Sequence, residues 1–341
     1  VKIYLSAILV MAAIALCAQE TQNTLDEKWS AGRPDGHAPI PIMGDHMHGK
    51  GEWMFSYRYM YMNMEDLKQG SDDASFNDAL TNYMVTPTQM PMNMHMLGAM
   101  YAPSDKVTII AMLNYLSMEM DHITRMGGAF TTEASGLGDI QVSGLYKFFN
   151  KNRQTMHAQL GFSIPAGSIT ESDVTPASAP NAMELPYPMQ IGSGTFDTNL
   201  ALTYLCQGPV FSYGGQLRGI FRFGENNREY RYGNRFGLNN WLAAKAMEWL
   251  SFSLRLEGLL VGEIKGMDPN LNPMMVITAD TENSGGNYVN SGIGFNTYMP
   301  NGALKNLRLG FEFAFPLYQD LNGIQLKNRE TFTLGLQYAF K

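Results

Sequence analysis

Between Gly51 and Met126 methionine recurs at alternate positions, in the runs Met60, Met62, Met64; Met90, Met92, Met94, Met96; and Met118, Met120. Side chains two residues apart point the same way along a β-strand, so each run sets its thioethers on one face, whereas a helix would scatter them. Thioether sulfur is a soft donor suited to Cu(I) and Ag(I), and it is equally a flexible, polarisable filler of apolar space. Sixteen of the 25 methionines and five of the six histidines lie between His37 and Met126, so the enrichment is regional. His46 and His48 alternate with Met47 just after Met43, His95 lies within the second run, and His122 follows the third. Asp45, His46 and His48 could equally hold Zn(II) or Cu(II), but no fixed ligand set can be read from the spacing. Three readings stay open: contact with a soft ion, a greasy path for an apolar solute, and packing alone.

The elements that must carry these residues are strands. Period-two alternation marks twelve segments, at 51–64, 89–102, 106–120, 137–149, 154–165, 194–206, 209–224, 231–246, 249–264, 286–298, 304–315 and 329–340. Connections after even-numbered segments are short and turn-like, as in Ala102-Pro103-Ser104-Asp105 or Pro300-Asn301-Gly302. Most of those after odd-numbered segments are long and polar, at 65–88, 121–136, 166–193, 265–285 and 316–328. Alternating short and long connections over an even number of strands is the pattern of an antiparallel up-and-down transmembrane β-barrel, with periplasmic turns on one rim and extracellular loops on the other.

The N-terminus agrees with that destination. Lys2 and the apolar run from Ile3 to Leu16 read as a signal peptide over residues 1–18. Residues 19–50 are then a periplasmic segment and 51–341 the barrel. The formal net charge is −7, and it becomes more negative once Lys2 is lost, which argues against a nucleic-acid surface. No nucleophile elbow, HExxH or phosphate-cradling loop is present, so no catalytic residue is expected and the chain does not read as an enzyme.

The segment Ser135-Gly136-Leu137-Gly138-Asp139-Ile140, with the strand that follows it to Phe149, and the segment Gly161-Phe162-Ser163-Ile164-Pro165-Ala166-Gly167 carry a resemblance. The chain resembles the outer-membrane β-barrel family labelled MetA-pathway of phenol degradation, over nearly all of Gly51 to Phe340. The resemblance implies a transporter of small aromatic compounds in the outer membrane of a Gram-negative bacterium, and the last strand, ending at Phe340 one residue from the end, has the aromatic terminus typical of barrels inserted by the outer-membrane assembly machinery. It fixes no binding residue. The Met43 to His48 segment and the Met-rich first strands are also similar, in composition and short spacing, to Met- and His-rich outer-membrane proteins of copper resistance.

In the first strand Trp53, Phe55, Tyr57, Tyr59 and Tyr61 oppose Met54, Ser56, Arg58, Met60, Met62 and Met64. Aromatics suit lipid and its interfaces, so the methionines should face inward. The third strand divides the same way, and the second is placed to match. The remaining inward positions give a polar lumen containing Arg58, Asp139, His157, Asp197, Arg218, Arg222, Arg255 and Glu257, which are expected mainly to pair across the barrel. The resulting expectation is an outer-membrane channel, bounded by lipid, passing a small solute along a Met-lined wall. Cu(I) or Ag(I) is one candidate cargo, and a small aromatic or apolar compound the other. A structural barrel without transport remains an alternative.

Overall fold

The computed structural model describes residues 28–341; the expected signal peptide lies outside the described residues. The barrel strands are β1 (Trp53–Gly70), β2 (Val85–Ser104), β3 (Val107–Thr124), β4 (Ala129–Leu137), β5 (Ile140–Lys151), β6 (Gln154–Ile164), β7 (Asp197–Gln207), β8 (Phe211–Arg222), β9 (Arg235–Met247), β10 (Leu250–Val261), β11 (Gly286–Tyr298) and β12 (Leu307–Phe340). Neighbours in sequence pair antiparallel except β4 with β5, and β12 pairs with β1 from Trp53↔Phe340 to Gly70↔Leu321, which closes the barrel.

Two elements depart from the expected segments. β4 and β5 share one stave: β4 pairs with the upper half of β3 and β5 with its lower half, the break falling at Gly138 and Asp139. β12 is expected as two strands with a long loop at 316–328, yet it is strand throughout. Its first part runs antiparallel to β11 as far as Leu321, and the rest runs antiparallel to β1, so the chain reverses near Gly323, whose φ of 59° suits glycine. With β4 and β5 sharing one stave and β12 supplying two, the wall has twelve.

The wall is uneven in height. β1, β2 and β3 have 18, 20 and 18 residues, against 11 in β6 and β7. At about 3.3 Å per residue the tall strands reach roughly 60 Å, far more than the roughly 25 Å apolar band of an outer-membrane barrel requires. The Met-bearing strands therefore rise well above the membrane. A short helix, α1 (Phe76–Asn82), caps this wall; Ser75 accepts from the Asp78 amide and the Asp78 carboxylate accepts from Ser75 in return.

Trp53, Phe55, Tyr57, Leu97, Ile109, Tyr115, Phe252, Leu254, Ile293, Leu334 and Leu336 are exposed on the outer surface, as a lipid-facing belt demands. The positions between them turn inward and are filled. The filling comes from two directions: an extracellular segment around 185–191, and the N-terminal residues 28–50.

Candidate functional site: a methionine wall above a histidine-bearing plug

The inward assignment of the methionines holds. Met54, Met90, Met92, Met100, Met118 and Met120 are buried, and Met60, Met62, Met64 and Met94 pack against them from the inner face. The register sets them opposite one another: Met54↔Met100, Met60↔Met94, Met62↔Met92 and Met64↔Met90 between β1 and β2, then Met92↔Met118 between β2 and β3. Ala134, Leu185, Met189 and Ile191 close the cluster from the β4 stave and the inserted segment.

One expected ligand does not join them. His95 projects from the opposite face of β2, where Tyr57 Oη lies 2.8 Å from its Nδ1 and the Tyr59 ring 5.3 Å from its own. The period-two geometry that turns Met94 and Met96 inward turns His95 out. Its place is in the aromatic surface, not the sulfur row.

Above the cluster lies a largely apolar cavity of about 480 Å3 whose lining includes Met84, Met126, Met183 and Met275, with His122, Phe130, Leu185 and Val276. His122 is buried and stacks on Phe130 at 4.7 Å, and its Nδ1 has no partner. The segment that roofs the methionines is held by Asp139, which accepts from the Gly167 amide (3.0 Å), the Ser193 amide (2.9 Å) and Ser193 Oγ (2.6 Å). Asp139 is thus an anchor for the inserted loop. Sequence reading does not find Leu185, Met189 and Ile191, because a loop folded back into a barrel has no periodicity to announce it.

Below the cluster, residues 28–50 thread into the periplasmic end of the lumen. The sequence leaves open whether this periplasmic segment plugs the lumen or hangs free; its described part fills the barrel mouth. Donors on the inner wall grip the plug's carbonyls: Arg58 Nε donates to Ile40 O (2.9 Å), His157 Nε2 to Gly44 O (2.8 Å), Gln216 Nε2 to Met43 O (3.0 Å) and Asn296 Nδ2 to Ala38 O (3.3 Å). Arg308 donates to the carbonyls of Ala31 and Arg33, and Ser212 to the Asp35 carboxylate. Gly44 (φ 63°) passes so close to Gln159 that a side chain there would collide with it. Ala38 and Ile42 add apolar contact with Leu205 and Trp241, and Met47 with Met54 and Met100.

The other expected lumen charges are largely paired. Arg255 forks onto Glu312 (2.7 and 3.0 Å) and also reaches Asn239 (3.0 Å) and Glu257 (3.3 Å). Asp197 accepts from Thr195 Oγ1 (2.6 Å) and lies 3.7 Å from Arg222, whose guanidinium sits over the Tyr232 ring. Arg218 lines a small space of about 50 Å3 just above the plug, with Gln159, Asn199 and Gln216.

Within the plug, three imidazoles meet. His37 and His46 stack with ring centroids 3.6 Å apart, and His48 stands edge-on to His46 at 4.9 Å. All three are buried. Burial, then the charge of Arg308 and the neighbouring imidazoles, hold His37 well below its ordinary pKa; burial also lowers that of His48, against the pull of Glu52. Burial opposes ionisation of Asp45, but His46, the Ala38 amide and Arg58 outweigh it and bring the carboxyl to about 2. His46 Nε2 and His48 Nε2 have no hydrogen-bond partner. A buried polar atom left so costs about 1–3 kcal/mol. His37 is the ligand-type residue that spacing alone misses, since the irregular chain between it and Asp45 carries no pattern.

No protein-family model matches the chain, and no curated protein matches it in sequence. Its fold is found among solved outer-membrane barrels. An outer membrane channel from Pseudomonas putida F1 superposes with a TM-score of 0.60 at 13% identity, covering 88% of this chain and 99% of that one. A Pseudomonas aeruginosa FadL homologue (TM-score 0.44, 9% identity, 92% of this chain and 99% of that one) and the KdgM porin (0.40, 8%, 84% and 99%) lie further away. By fold and by its outward-facing apolar belt, the protein is a closed antiparallel β-barrel of the outer-membrane type.

Proposed function

We propose that this barrel is an outer-membrane channel for small solutes, and that its upper lumen is built to pass a soft monovalent ion, Cu(I) or Ag(I). The observation that carries this reading is the facing register of Met60 with Met94, Met62 with Met92 and Met64 with Met90, all on the inner wall. Directly opposed residues on neighbouring strands have Cβ atoms roughly 4.5–5.5 Å apart, so two long thioethers can reach one ion between them. An apolar solute would be served as well by Leu, Val or Ile, the last two being better strand formers; sulfur adds affinity for a soft cation. Met84, Met126, Met183, Met275 and His122 continue the same donors into the cavity above. A succession of weak sites binds an ion without trapping it. The roofing segment packs on the methionines from above, and residues 28–50 fill the lumen below them.

The test is growth of a strain lacking the protein on graded silver and copper, complemented either by the wild type or by Met60→Leu/Met62→Leu/Met92→Leu/Met94→Leu. The wild type should shift metal tolerance while the variant behaves as the deletion does. Identical growth of all three would remove the reading. A second reading rests on the apolar cavity of about 480 Å3, large enough for a small aromatic compound of the kind the phenol-degradation resemblance implies. Under it, uptake of phenols survives the four Leu substitutions.

A further inference from the structure

His37, His46 and His48 share an arrangement that packing alone does not require. In each ring Nδ1 faces an oxygen: Gln337 Oε1 at 3.1 Å for His37, Asp45 Oδ1 at 2.9 Å for His46 and Glu52 Oε2 at 3.5 Å for His48. An imidazole that donates through Nδ1 presents a lone pair at Nε2, and this is how proteins orient histidines toward a metal ion. Two of those Nε2 atoms are buried with no partner. Donor atoms of His37, Asp45 and His46 lie within 4.8 Å of one another, with His48 beside them.

We propose that His37, Asp45 and His46, whose donor atoms converge, form with the adjoining His48 a binding site for one borderline transition-metal dication, Cu(II) or Zn(II), with Gln337 and Glu52 as positioning residues. Imidazole favours these ions over hard Ca(II) or Mg(II), and over the soft ions that thioethers prefer. Asp45 and Glu52 bring negative charge against the nearby Arg58 and Arg308. An approach exists: a cavity of about 250 Å3 reaches His37 and His48 from the strand ends at Phe340 and Lys341. The ligands belong to the plug, while Gln337 belongs to the wall and Glu52 to the plug's junction with β1. A bound dication therefore stiffens the plug in its seated form, and metal occupancy becomes a latch on the channel. This inference stands independently of what the channel carries.

The test uses the purified, full-length folded barrel. Titrated with Cu(II) alone, it should bind one ion per chain and show nitrogen hyperfine coupling in its electron paramagnetic resonance spectrum. The triple variant His37→Gln/His46→Gln/His48→Gln should bind at least about 100-fold more weakly, and Asp45→Asn about 10- to 100-fold more weakly. The four-Met variant should bind as the wild type does. A wild-type spectrum without nitrogen coupling, or equal affinity in the triple variant, would overturn the proposal. Should the triple variant fail to fold, the wild-type spectrum decides alone. Silver flux through the triple variant reports on the methionine path separately, so failure of one reading does not mimic failure of the other.

Discussion

The two halves of the lumen are closed by opposite means. In the periplasmic half the plug's carbonyls are taken up by fixed donors, Arg58, His157, Gln216, Asn296 and Arg308, so one backbone path is specified. In the extracellular half the roof rests on methionines, whose contacts have no preferred direction and survive small displacements. Hydrogen bonds specify a seat and soft side chains tolerate movement. The lower filling is thus fixed by directed hydrogen bonds and the upper one by adaptable packing.

Deleting residues 29–48 should have the largest effect, turning a closed barrel into a permanently conducting one in planar bilayers; unchanged conductance would show that the plug is not the barrier. Next comes the buried Arg255 and Glu312 pair above it. Glu312→Gln leaves a buried guanidinium short of its counter-charge and should cost about 3–5 kcal/mol, read as an earlier urea midpoint, whereas replacing both partners with apolar residues should recover most of the loss. A smaller effect is expected at the plug's seat itself: Gln216→Leu removes a donor to Met43 and leaves a buried carbonyl short of a partner, for about 1–3 kcal/mol and more frequent channel openings. The smallest stability change belongs to the upper half. Each Met→Leu exchange at 60, 62, 92 or 94 nearly conserves volume and should cost less than about 1.5 kcal/mol, so the comparison sharpens if these variants fold normally yet transport differently.

Much of this contrast can be read in the chain before folding. Alternation over Trp53–Met64 and Val107–Met120 assigns the inner face correctly, because a lipid-facing side and a packed side impose period two. The same logic loses hold where β12 leaves the membrane: Gln319, Asn322, Gln325 and Asn328 read as loop, but a strand standing above the bilayer has no need of an apolar outer face. The plug is illegible for another reason. Its conformation is dictated by wall side chains, most of them distant in the chain, such as His157 on Gly44, and no local pattern encodes them. His46 and His48 could be singled out by spacing, while His37 joins them only through the fold.

Carriage of a soft ion by the methionine ladder is tested most directly by Ag(I) flux into vesicles containing the plug-deleted barrel, with and without the four Leu substitutions, beside the flux of an uncharged phenol. The substitutions should suppress silver movement and leave the phenol unchanged. Equal silver flux through both barrels would contradict carriage by the ladder.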